Sequence, residues 1–532
     1  MYHMKKLLSL VLCLMMVLSL APVALADGPD KITVGLGSLA AVIDYETNAE
    51  TLALEKEGNL DLEFVTFTAK EMLEKVNVMI QAGGEDLPDV LLFSSTSGRP
   101  TNSAIYSWAQ NGAILPITEY LKDETKSPNF TESMKKSGAD LLPMLTMPDG
   151  EIYHLPGYAR SLGNEYQHKN WIYQPWLDKL GLEKPADAES LYNVLKAFKE
   201  QDPNGNGIAD EIPFMGYTKY NGYALRSLLS MFVDVGNVSD YISVKDGKLI
   251  ASYTTEEYRE GLRYVKKLVD EGLFSPMTFT TDEAQFKALL AQEDVVVGMT
   301  VTPSVAALID ASSERRAEYT HVAPMAMADG TVLTPYTPTT PAAHFVITSN
   351  CKNVDAAFRL GDLLCSEKFT VWSRWGEKDV DWIVPEEGAQ ALYAALGYEP
   401  YLKETGNIVW GQPQNQAWNS NGPYVRGYEI PAGMVWNGNP LDSEYIIATA
   451  MVDYINKGPK EYISTLIYTE DENEIIAEPL VMINSYASEA RAQFVTGDLD
   501  LDKDWDAYLN ELYNNELEAV LEVMQAAYDR NN

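Results

Sequence analysis

Cysteine, histidine and basic charge are all in short supply in this chain, and each shortage closes a class of function. Only 3 of 532 residues are cysteine. Cys13 lies in an apolar N-terminal run, and Cys351 and Cys365 flank an expected helix, Asn353 to Leu364. A helical path between those two spans ~20 Å, well beyond the ~7 Å that a disulfide allows between Cα atoms, so two free, buried thiols are expected. The 5 histidines (His3, His154, His168, His321, His344) show no metal-ligand spacing, and neither a Gly-x-Ser-x-Gly elbow nor a phosphate-binding glycine loop occurs. Against 77 acidic residues stand 40 basic ones, a formal net charge of −37. Such a surface repels nucleic acid and anionic membrane. Long internal repeats and Pro-, Gly- or Ser-rich linkers are also missing, so any domains should interleave.

The first 26 residues read as a secretory signal: Lys5 and Lys6, an apolar run from Leu7 to Leu20, then Ala24-Leu25-Ala26 before Asp27. Cleavage is expected after Ala26. Cys13 follows Leu12, where a lipoprotein signal needs a small residue, so a lipid anchor is not expected. The remaining chain is long enough for two or more domains and suits an extracytoplasmic site, at the cell surface or in a periplasm.

Asp202 to Pro213 reads Asp-Pro-Asn-Gly-Asn-Gly-Ile-Ala-Asp-Glu-Ile-Pro. Asp202, Asn204 and Asn206 fall at every second residue, so a tight loop can turn three side-chain oxygens to one centre. Gly205 and Gly207 permit the sharp turns, the Ile208 carbonyl can join, and Asp210 and Glu211 add carboxylates. The first half follows the EF-hand pattern, but position 12 is Pro213, so Glu211 would have to close the site. A structural Ca²⁺ is expected. An Asx-rich solvated turn is the plainer reading.

Alternating Ile32, Val34 and Leu36 predict a strand over 31–37. A second is expected at 62–67, a helix at 70–81 and a third strand at 89–93. Strand, helix, strand points to α/β architecture with a parallel sheet and right-handed crossovers, in which ligands bind beyond the carboxyl ends of strands. That edge would carry Ser38, Ser94 and Ser95. Further helices are expected at 188–200, 255–271, 282–291 and 511–529. Strands are expected at 295–302, 321–324 and 345–348, the last returning to the strand-helix pattern after a whole second unit.

Several segments together resemble the family 1 extracellular solute-binding proteins of ABC importers, in particular the large members that include alginate-oligosaccharide-binding proteins, with maltose-binding protein more distant. They are Asp149 to Pro156, Trp171 to Leu182, Lys199 to Pro213, Ile347 to Ala357, Phe494 to Gly497, Asp504 to Tyr508 and Val523 to Arg530. The resemblance implies a two-lobed periplasmic-binding-protein-like fold (type II) with the solute in a cleft between the lobes. Residues 27–156 and 343–400 would form lobe 1, and 157–342 and 401–532 lobe 2, with calcium in loop 202–211 away from the cleft. It further implies a monomer that captures a carbohydrate, an oligosaccharide or other small polar solute, and delivers it to ABC permease subunits. Where relatives commonly have Arg-Lys-Asp, this chain has Tyr173-Gln174-Pro175, so a salt bridge there is not expected.

Sugar sites combine aromatic platforms with planar polar groups. Candidates are Tyr158, Arg160 and Tyr166 after the first hinge, Tyr217 after the calcium loop, Thr300 in the 295–302 strand, and Trp418 and Trp436 in the irregular stretch 406–440, where Trp410 is a further possibility. Trp171, Trp176, Trp372, Trp375 and Trp505 are expected to be core. Two other functions remain open on sequence alone: a secreted glycoside hydrolase using paired carboxylates, and a binder of peptide or another polar solute.

Overall fold

The structure is a computed structural model that describes residues 28–218, 223–236 and 241–531. The expected signal segment 1–26 with Cys13, and Tyr220, lie outside the described residues.

A six-stranded sheet is built from β1 (Asp30–Ser38), β2 (Leu60–Thr68), β3 (Val90–Leu92), β4 (Leu155–Ala159), β11 (Ala342–Ile347) and β14 (Tyr424–Arg426), in the order β14-β4-β11-β3-β1-β2. β1 runs parallel to β2 and β3, and β14 parallel to β4, while β11 runs antiparallel to both of its neighbours. The sheet is therefore mixed, where a parallel one was expected. The helices Ala49–Gly58 and Met72–Gln81 make the crossovers. Asn48 caps the first of these by accepting from the Glu50 N–H.

A second sheet, β10-β5-β9-β6, uses β5 (Asn170–Tyr173), β6 (Ile212–Phe214), β9 (Val297–Val301) and β10 (Tyr319–Val322). The hairpin β7 (Ile242–Lys245) and β8 (Lys248–Ala251), and the pair β12 (Trp382–Ile383) and β13 (Lys403–Glu404), stand apart. Helix Ala188–Glu200 starts on a capping box, Asp187 with Ser190, and buries Leu191, Val194, Leu195 and Phe198 against this second sheet. The expected terminal helix is two, Trp505–Asn514 and Leu517–Asn531, broken where Glu516 takes φ 65°.

Each sheet has its own core. One gathers Ile32, Val34, Leu92, Leu155, Phe345 and Trp418; the other gathers Trp171, Phe198, Phe214, Leu262, Met299 and Phe494. The chain passes between them three times: Ala159 to Asn170, Val322 to Ala342, and Arg426 to Ser443. The lobes thus interleave. The expected boundaries at 156 and 400 shift, because β4 and β14 both lie in the first sheet, which carries residues as far as 159 and 426 with it. Cys351 and Cys365 are free and buried. Among the described residues, no helix is long and apolar enough to cross a membrane.

Candidate functional site

Strand directions fix where a solute can lie. In the first sheet β1, β2, β3, β4 and β14 all end at one edge, where β11 begins; in the second, β6, β9 and β10 end at the edge where β5 begins. The first two crossings leave one of these edges and enter the other, and the third leaves the first edge for helix Ser443–Tyr454, so the edges face each other across a cleft.

At the base of the cleft the crossings are tied to one carboxylate. Glu165 is 1% exposed. It accepts from Arg160 Nε at 3.3 Å, from the Tyr336 hydroxyl at 2.9 Å, from the Thr339 hydroxyl at 2.8 Å and from the Tyr428 hydroxyl. Each crossing supplies at least one of these groups. Beside it Lys169 is fully buried and donates to the carbonyls of Gly163 at 2.9 Å and Tyr166 at 2.5 Å. Burial lowers its ammonium to about 7.

Aromatic and cationic side chains collect at the end of the first sheet. β14 alternates, so Val425 enters the core while Tyr424 and Arg426 share the other face. Arg426 is 7% exposed, with its guanidinium 4.5 Å from the Tyr424 ring and 5.3 Å from the Trp375 ring. Burial pulls it down to about 10. Arg374, from helix Glu367–Trp375, lies 5.1 Å from the Trp375 ring and 4.1 Å over Trp410, which is 51% exposed. His344 sits at a register break in β11, edge-on to Tyr424 at 5.2 Å, and its ring packs over Gly157, where any Cβ would come within 2.5 Å. Its Nδ1 pairs with the Gly422 carbonyl at 2.8 Å, and burial holds the ring neutral at about 3. Next to this cluster a cavity of about 530 Å³ is lined by Gln390, Glu404, Trp436, Asp442 and Glu444 among others. The Trp436 ring stacks on Tyr445 at 4.3 Å and 12°.

Of the residues expected to hold solute, Trp436 lines this cavity. Ser38 and Ser95 are exposed at the sheet edge, where Ser38 Oγ donates to the Phe67 carbonyl at 3.1 Å. Ser94 is buried on Ser97 at 3.1 Å. Trp418 is no platform: it is 0% exposed in the first core, its Nε1 donates to Thr51 at 2.8 Å, and its N–H is held by Glu50 at 2.6 Å. Irregular backbone folds back across helix Ala49–Gly58 there, which composition does not reveal. Tyr158 lies in the first core, and Thr300 is fully buried on the central strand β9. Tyr217 stacks on Phe286 at 4.8 Å. Tyr166 packs on Tyr336 at 5.2 Å and accepts from the Asn456 N–H at 3.1 Å. Arg160 is committed to Glu165 and Tyr428. Sequence reasoning passed over Arg374, Tyr424 and Arg426, although Tyr424-Val425-Arg426 carries the alternation that places an aromatic and a cation on one strand face.

Loop 202–211 precedes β6, at the opposite edge of the second sheet from the cleft. Asn204 and Asn206 both reach Asp210, at 2.8 and 3.1 Å, and Asp202 accepts from the N–H groups of Gly205 and Gly207 at 2.9 and 3.1 Å. The Ile208 carbonyl accepts from the Asp210 N–H at 3.0 Å. Glu211 Oε1 is buried without a partner, and burial together with repulsion from Asp202 and Asp210 raises its carboxyl. Among the described residues no three His, Cys, Asp or Glu side chains meet as a ready metal cluster. The donor set instead mixes carboxylates with amides and a carbonyl, hard oxygens of the kind Ca²⁺ takes, and the orphaned Glu211 oxygen fits a cation.

The model of the bacterial extracellular solute-binding proteins matches residues 52–371. The fructooligosaccharide ABC transporter substrate-binding protein FusA of Streptococcus pneumoniae serotype 4 is 26% identical over 492 residues, covering 90% of this chain and 86% of that one. Among solved structures, an extracellular solute-binding protein from Bifidobacterium longum subsp. infantis aligns with TM-score 0.74 at 22% identity, over 95% of this chain and 99% of that one. An EF-hand mutant of the S. pneumoniae FusA protein in complex with fructo-nystose aligns with TM-score 0.66 at 24% identity, over 94% and 99%.

Proposed function

We propose, from the premise that the chain belongs to the bacterial extracellular solute-binding proteins, that it captures an oligosaccharide between its lobes and delivers it to the permease of an ABC importer. The observation that carries this is the pairing of exposed Trp410 with the Arg374 guanidinium, together with half-buried Trp436 on the wall of a roomy cavity. Aromatic faces take the C–H side of a sugar ring, and planar donors take its hydroxyls. The name of the FusA relative, a fructooligosaccharide-binding transport protein, supports the same class.

The chain binds and does not turn over its solute, acts outside the cytoplasm as a monomer, and holds one structural Ca²⁺ in loop 202–211 through Asp202, Asn204, Asn206, the Ile208 carbonyl, Asp210 and Glu211. The EF-hand named in a relative of the same fold supports the calcium assignment. Bound there, the ion would offset the carboxylate repulsion at Glu211 and fix the entry to β6.

A thermal-shift screen of oligosaccharides tests the reading, because a ligand that binds only the folded state raises its melting temperature. At least one oligosaccharide should raise it with no new reducing ends formed. A shift with peptides alone, or release of reducing ends, would overturn the reading.

A further inference from the structure

The chain is strongly acidic, yet its cleft carries arginines that form no ion pair. Among the described residues Arg160, Arg259, Arg263, Arg359 and Arg530 are held in ion pairs, and Arg315, Arg316 and Arg491 donate to carbonyls or to the Tyr258 hydroxyl, whereas Arg99, Arg374 and Arg426 take part in no ion pair and donate to no carbonyl. Arg99, Arg374 and Arg426 belong to one region. Arg426 and Arg374 flank the same Trp375 indole, at 5.3 and 5.1 Å. Arg99 follows β3 at the carboxyl edge of the same sheet, and it acts with Arg426 on His344.

Arg426 is the informative member. Its Nε and Nη1 are buried without any hydrogen-bond partner. The groups that act on it are Tyr424, which also hydrogen-bonds to it, and Arg374, with no carboxylate among them. Glu404 and Glu444 act on Arg374 without touching it. A buried guanidinium with unmet donors is costly. The two aromatic rings recover part of that cost, but they leave the Nε and Nη1 donors unmet, and a carboxylate is the acceptor whose charge and paired oxygens answer a guanidinium.

We infer that the solute carries a carboxylate: an acidic oligosaccharide, of the uronic or sialic acid type, whose carboxylate is received by Arg426 with Arg374 beside it while a neighbouring ring lies on Trp410. The inference rests on the oligosaccharide reading above and deepens it. Arg99 adds positive potential at the mouth, where low-dielectric walls focus it against the negative field of the rest of the surface.

Titration calorimetry on the whole protein with tri-galacturonate, 3′-sialyllactose and a glucuronate disaccharide, each against its carboxyl methyl ester, and with kestose as a neutral control, decides the matter. At least one acid should bind, tenfold or more tightly than its ester, since esterification removes the charge and adds one methyl group, and the neutral control and the Arg426 variants separate the two effects. Arg426→Gln should abolish that preference and Arg426→Lys should keep part of it. Should Arg426→Gln fail to fold, Arg374→Gln is expected to narrow the preference. Esters or kestose binding as tightly as the acids would overturn the inference and leave the oligosaccharide reading standing. Binding of no sugar of either kind would overturn both.

Discussion

The Tyr336 hydroxyl donates to Glu165 Oε2 at 2.9 Å across two separate passes of the chain between the lobes. With Arg160, Thr339 and Tyr428 on the same carboxylate, Glu165 joins every segment that must bend when the lobes move. Closure of two-lobed binding proteins turns on a few such residues. Glu165→Gln leaves Arg160 without its counter-ion and should cost about 3 kcal/mol of stability, the size expected when a mostly buried pair loses one partner. Calorimetric unfolding reads the cost, and solution scattering with and without solute should show a smaller contraction than in the parent.

The two tryptophans expected to be equivalent should behave oppositely. Trp418→Ala removes a fully buried indole and its bond to Thr51, for a loss of about 3 to 5 kcal/mol. Trp436→Ala exposes one side of a ring stack at a cavity wall, so unfolding should shift by about 1 kcal/mol or less while solute affinity falls about tenfold. Denaturant titration paired with calorimetry separates these outcomes. Normal stability of Trp418→Ala would contradict its place in the core.

Glu50 makes stability pH-dependent. Its carboxyl is fully buried and accepts the Trp418 N–H, but Oε1 has no partner, and burial raises it to about 8. In the unfolded chain the same group ionises near ~4.3. Between those values the folded state holds a proton that the unfolded state has released, so this group's contribution falls as pH rises from about 4.3 to about 8 and is flat beyond. The slope from this group is of order 1 kcal/mol per pH unit. Glu50→Gln keeps the shape and removes the titration. The difference between parent and variant across pH 5 to 8 should shrink to nothing at the acid end and grow toward pH 8 in favour of the variant.

Chelation should lower the melting temperature of the whole protein. At a calcium concentration 100 times the dissociation constant, the ion adds about 2.7 kcal/mol to folding, and removing it frees the repulsion around Glu211. Glu211→Gln should weaken the response to chelator by removing a ligand charge. Identical melting curves with and without chelator, together with no calcium in elemental analysis, would contradict the site.

Much of this molecule is written locally. Ile32, Val34 and Leu36 fixed β1, Asp187 with Ser190 set the start of helix Ala188–Glu200, and the every-second-residue oxygens of Asp202 to Asn206 marked the loop proposed to hold calcium, because alternation, capping and ligand spacing act over a few residues. The return of β11 to the first sheet was legible too, since the strand-helix pattern resumes after a full second unit. What chain order could not decide is which aromatic side chains face the cleft. Trp410, Trp418 and Trp436 share one irregular stretch of similar composition, yet one is open under Arg374, one is sealed behind Glu50 and Thr51, and one lines a cavity. The gathering of Arg99, Arg374 and Arg426 was equally hidden. Arg99 lies 275 residues before Arg374, and Arg426 a further 52 along, and only the closing of the sheet through β14 and the packing of helix Glu367–Trp375 bring their charge to one edge. Burial and mutual charge are properties of that assembled edge, which no segment contains by itself.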